Sequence, residues 1–116
     1  MSALAKTIDI TIPNGAAVPV AGAPLGNGIL IGILIPASWT AANLTFKASI
    51  DDSSFFDVYD AAGTELTVTV GGSSRYIALD QALFVGFSSI IVRSGTTGSP
   101  VNQSGAKILK LVTKEF

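Results

Sequence analysis

Leu44-Thr45-Phe46-Lys47-Ala48-Ser49-Ile50 alternates apolar and polar residues without a break. Successive side chains of a β-strand point to opposite faces, so this spacing predicts a half-buried strand with Leu44, Phe46, Ala48 and Ile50 on its apolar face. Period two recurs on both sides of it. Upstream, Ile8, Ile10 and Ile12 alternate with Thr7, Asp9 and Thr11, and Pro13-Asn14-Gly15 closes that strand. Residues 13–28 are rich in Gly, Pro and Ala and almost uncharged. They predict a long connection that is ordered only against a neighbour. The stretch from Gly28 to Ile35 is apolar on both faces, which in an all-β domain means a central strand covered on both sides, or one whose outer face meets a partner.

Downstream, Asp51-Asp52-Ser53-Ser54 makes a turn into a strand from Phe55 to Tyr59. Asp60-Ala61-Ala62-Gly63 makes another into Leu66, Val68 and Val70. Further strands follow around Tyr76 to Leu79, Phe87 to Arg93 and Lys107 to Thr113, with a single helical turn at residues 80–83 capped by Asp80. Turn signals at short spacing and the lack of a long helical pattern predict an all-β, antiparallel sandwich of about eight strands, jelly-roll-like. An immunoglobulin-like sandwich or an open barrel fits the same count. The organisation reads as an N-terminal strand or arm over 1–12, the connection over 13–28 and a single β-sandwich domain over 29–116.

Composition narrows the function. The 116 residues include no histidine and no cysteine, and only 13% are charged against 48% hydrophobic. Without imidazole or thiolate, the usual groups of catalysis near neutral pH are missing, and we expect a protein that is not an enzyme and needs no cofactor. Without cysteine there is neither a disulfide framework nor a thiolate metal site. The net charge of −1 gives free nucleic acid nothing to bind. The longest apolar run, from Ile29 to Ala37, is too short to span a bilayer, and the first residues do not read as a signal peptide, so the expectation is a soluble protein made in a cytoplasm. So apolar a chain with so few charges predicts a surface partly covered by assembly.

Candidate sites are few. Asp51, Asp52, Asp57 and Asp60 fall within ten residues, where oxygen-rich loops sometimes hold calcium, but aspartates are also the usual turn formers between strands and the spacing is not that of an EF-hand. The turn reading is preferred, and no metal ligand is assigned. Trp39, the only tryptophan, reads either as a lid over one end of the core or as an exposed interface anchor. Lys107, Lys110 and Lys114 suit an edge strand guarded against aggregation, and Arg75 and Arg93 suit surface ion pairs.

The run from Pro36 through Trp39 and Phe46 to Asp51, followed by Phe55-Phe56-Asp57-Val58-Tyr59-Asp60 and later by Ile91-Val92-Arg93-Ser94-Gly95 and Val101-Asn102-Gln103-Ser104, resembles the small jelly-roll cement or decoration proteins of tailed bacteriophages. The resemblance spans residues 29–113. It implies a virion structural protein on the outer capsid surface, made in the host cytoplasm, that binds and stabilises the assembled shell of major capsid protein as a dimer or trimer. It carries over no catalytic residue. Ile8, Ile10, Ile12 and Trp39 are the interface candidates, the isoleucines as a strand added to a neighbour's exposed edge. A phage tail or baseplate component fits the same composition. The reading from another class is a carbohydrate-binding sandwich module in which Trp39 and the aspartates line a sugar site.

Overall fold

The computed structural model describes residues 5–115. Among them, eight strands run in chain order as β1 (Lys6–Ile12), β2 (Ala23–Pro24), β3 (Ile29–Ile35), β4 (Leu44–Ser49), β5 (Phe56–Asp57), β6 (Arg75–Ala78), β7 (Ser89–Ser94) and β8 (Lys107–Lys114). They form two antiparallel sheets, β1-β8-β3-β6 and β2-β7-β4-β5. Four of the pairings, β1 with β8, β2 with β7, β3 with β6 and β4 with β5, are those of one long ribbon whose first half lies along its second. Pairing of β3 with β8 and of β4 with β7 closes the ribbon into a roll. This is the order of a jelly roll; the sandwich of about eight strands was expected from the sequence, its strand order was not.

The alternation in the sequence becomes the two faces of each sheet. Ile10 and Ile12 from β1, Leu109 and Leu111 from β8, and Leu30, Ile33 and Ile35 from β3 turn inward and are buried. They meet Leu44 and Phe46 of β4 and Ile90 and Val92 of β7. Phe84 fills the space between the sheets, its ring edge-on to Phe46 at a centroid distance of 5.2 Å, the favoured geometry for two aromatic quadrupoles. The helical turn expected at residues 80–83 is a 3-10 turn over Gln81–Leu83, with the Asp80 carboxylate accepting from the Ala82 amide at 3.1 Å.

Several segments depart from the sequence reading. The 13–28 connection contains β2 and is ordered against its own chain: Gly15 donates to the Gln103 carbonyl at 2.8 Å and Ser94 to that of Ala17 at 2.7 Å. Residues 66–70 form no strand of their own, because Val68 exchanges backbone hydrogen bonds with Leu44 alone, as an isolated bridge. Ile50 is exposed, since β4 ends at Ser49 and the chain turns at Asp51. The lysines of β8 guard no edge, because β8 lies between β1 and β3. Lys107 instead points inward at the end of the core and donates to the carbonyls of Ser104 and Gly105.

Candidate protein interface

The register of the β1-β8-β3-β6 sheet lines up its outward side chains in rows across the strands. Asp9 lies opposite Lys110, Lys110 opposite Leu34, and Leu34 opposite Tyr76. Thr11 and Ile108 form the next row on one side, and Thr7, Val112, Gly32 and Ala78 the next on the other. Leu34, Tyr76 and Ile108 keep 38%, 51% and 51% of their surface in solvent. Between this face and the loops at its end lies a hollow of about 500 Å³, lined by apolar Leu34, Pro36, Ala37 and Ile108 and by Asp9 and Lys110. Lys110 Nζ donates to both oxygens of Asp9, at 3.0 and 3.1 Å. These two charges therefore neutralise one another, which lowers the cost of covering them.

Gly32 shapes the face. A Cβ placed there falls 1.9 Å from the Tyr76 hydroxyl oxygen, so the phenol ring lies flat across β3 only because residue 32 has no side chain. The chain thus holds an aromatic ring against the sheet with half its surface outward, the disposition of an interface anchor.

The residues singled out in the sequence lie elsewhere. Ile10 and Ile12 are buried in this chain's own core, and Ile8 is partly buried against it. Their strand is bonded along one edge to β8, and the side chains of Ile10 and Ile12 are spent on this chain's core, which leaves the other backbone edge rather than those two side chains to face a neighbour. Residues 1–4 of the predicted arm, and Phe116, lie outside the described residues. Trp39 is 7% exposed. Its indole N–H donates to the Ala42 carbonyl at 3.1 Å, and its backbone N–H to the Ser73 hydroxyl at 2.9 Å. It is the lid of the two readings, and its ring has little area left on which a sugar can stack.

The outer face of the second sheet carries a buried charged network. Arg93 is buried there and donates to Glu65 and Thr45, both at 3.1 Å, to the Thr97 hydroxyl at 2.6 Å and to Asp57 at 2.5 Å. It forms the expected ion pairs beneath the surface rather than on it, because the loops carrying Glu65 and Thr97 fold over the guanidinium and bond to each other. Arg75 remains exposed and makes no ion pair among the described residues. The hydrogen bond from Arg93 holds the Asp57 carboxyl below the ordinary aspartate value. The backbone amides of Ser54 and Ser53 and the Ser49 hydroxyl do the same for Asp51, and the hydroxyls of Ser89 and Ser88 for Asp52. Asp51 and Asp60 act as turn formers, each accepting from two backbone amides at 2.9–3.0 Å. Among the described residues no three metal-ligating side chains come together.

Tyr76 and Ile108 were not visible as site residues in the sequence. The signal that pointed their way was the stretch from Gly28 to Ile35, apolar on both faces, whose outer side the structure leaves facing solvent at Leu34. No family model, curated protein or solved structure matches the chain. Among the described residues no helix is long and apolar enough to cross a membrane.

Proposed function

We infer that this chain is a non-enzymatic structural protein that docks its β1-β8-β3-β6 sheet on an assembled protein lattice, as a cement on the outer surface of a bacteriophage capsid made in the host cytoplasm. The observation that carries the reading is the exposed apolar side chains of Leu34 and Ile108 in a hollow whose charged lining is the paired Asp9 and Lys110, with Tyr76 exposed beside Leu34. A protein partner with an apolar knob fills such a hollow and strands no unpaired charge. The weak affinity of a single small face is multiplied when many copies bind one shell, and a protein that binds the assembled lattice but not free subunits stabilises the lattice by mass action.

The test is co-sedimentation of the purified protein with assembled shells of the major capsid protein, with unassembled subunits and with isolated tails. Saturable binding to shells, weakened by Tyr76→Ala or Ile108→Asp, is the expected result. Binding to tails instead moves the protein to a tail or baseplate lattice. Binding to neither, or binding indifferent to both substitutions, rejects the docking face.

A further inference from the structure

The sheet that carries the docking face has an edge that the fold leaves open. β1 is seven residues long, and among the described residues it pairs with β8 alone, with no backbone hydrogen bond reaching it from any other segment. Alternate residues of an edge strand turn their N–H and C=O groups away from their only neighbour, and these groups are templates for another strand. The other three edges are short: β2 and β5 have two residues each and β6 has four. Of the usual protections β1 carries one charge at mid-strand, Asp9, which is already paired with Lys110. Its register with β8 runs without a bulge, it contains no proline, and its one lysine, Lys6, stands at its end. Beside it runs a groove of about 340 Å³, walled by Ile8, Asp9, Ile10 and Thr11 on one side and by residues 19–24 on the other. Val20 on that far wall is 91% exposed.

We propose that two copies of this chain pair antiparallel through the open edge of β1, joining their sheets into one of eight strands. The edge suits itself. A twofold axis opposite Ile8 or Ile10 keeps isoleucines facing isoleucines or Lys6 on the inner side, and on the outer side it sets Asp9 of each copy opposite a threonine, Thr7 or Thr11, of the other. Opposed aspartates are thereby avoided, and β-branched residues meet across the strands, which is a favourable pairing. Because inner faces meet inner faces, the axis stands normal to the sheet, and the outer faces of both copies lie on the same side. The two sets of Leu34, Tyr76 and Ile108 then face the same way, on either side of the Thr7, Asp9 and Thr11 side chains of the two β1 strands. The pairing rests on the backbone edge; its use as a doubled docking surface rests on the lattice-binding reading above.

Thr7 and Thr11 are exposed and point outward, so they can be changed without touching the core. The experiment measures mass by light scattering over a concentration series, with amide hydrogen exchange along β1, for the natural chain, Thr7→Glu/Thr11→Glu and Thr7→Lys/Thr11→Lys. A dimer is expected, with alternate β1 amides slowed as it forms. The glutamates, facing Asp9 of the other copy, raise the dissociation constant roughly tenfold, and the lysines lower it. A monomer at every concentration, or a dimer whose mass and β1 exchange ignore both pairs of substitutions, overturns the proposal. A monomer that still sediments with shells defeats the edge pairing alone, and a dimer of the expected kind that ignores shells and tails defeats the lattice reading alone.

Discussion

Replacing Gly32 by alanine places a methyl group 1.9 Å from the Tyr76 hydroxyl oxygen and 2.3 Å from the ring carbon that bears it. No small adjustment relieves such an overlap, so the ring must swing off the sheet into solvent. Half of the residue is already exposed, so the contact area lost is about half of what a tyrosine buries in full, roughly 100 Å². At about 25 cal/mol per Å² that loss costs up to about 2.5 kcal/mol. Alanine in a strand offsets about 0.5–1 kcal/mol of this, since glycine surrenders more backbone freedom on folding. Gly32→Ala should therefore destabilise the protein, by up to about 1.5–2 kcal/mol. With Tyr76 already replaced by alanine the obstruction is gone, and the same substitution should stabilise by about 0.5–1 kcal/mol. Urea unfolding of the four proteins of this double-mutant cycle reads both values. An equal effect of Gly32→Ala in the two backgrounds refutes the account of the ring lying over residue 32.

Arg93→Met should cost about 3 kcal/mol in the same unfolding assay, since it leaves Glu65 beside an apolar side chain and Asp57 with only its cross-strand neighbour Lys47; a loss below about 1 kcal/mol shows that the network is not holding its loops. Trp39→Ala should cost about 3 kcal/mol or more, as expected of a buried lid, and a fully stable variant refutes that placement. Acid should weaken the fold through Asp51, Asp52 and Asp57, whose carboxyls are held below the ordinary value near 3.9 by their hydrogen bonds. In that window the unfolded chain binds more protons than the folded one. The stabilisation is therefore complete above the ordinary value and is lost as pH falls through the lowered ones. Melting temperatures from pH 5 to pH 2 should drop less steeply for Asp57→Asn than for the natural chain.

Three strands of six to eight residues with a clean alternation, β1, β4 and β8, were legible because each has one face on a common core, and β3 was legible as an apolar run. Their order was legible only as a preference, since an alternation says which face is buried and nothing about which strand lies alongside. β2 was invisible. Ala23–Pro24 carries no period, and its pairing comes from Ile90 and Ser89, far along the chain. Arg93 looked like any surface arginine because Glu65 and Asp57, which bury it, stand about thirty residues away. The lysines of β8 misled for a related reason. Outward charge marks an edge only when the strand is at one, and β1 occupies the place beside β8. The docking face fared similarly, since Leu34, Tyr76 and Ile108 become one surface only in the register of three strands.

The rolled ribbon also sets the order in which the chain can fold during synthesis. Lys6 of β1 pairs with Thr113, and Ile12 with Lys107, so β1 leaves the ribosome about a hundred residues ahead of the strand it pairs with. At about 5–20 residues per second that interval is roughly 5–20 s. For all of it, the alternating isoleucines of β1 are solvent-exposed with neither edge paired, a segment open to chaperones and to other nascent chains. β4 and β5, one short turn apart, are by contrast free to meet at once. Nascent chains halted before residue 107 should therefore show the β4-β5 corner but no protected β1, and the closing of the roll should be the slow step of a fold dominated by distant contacts.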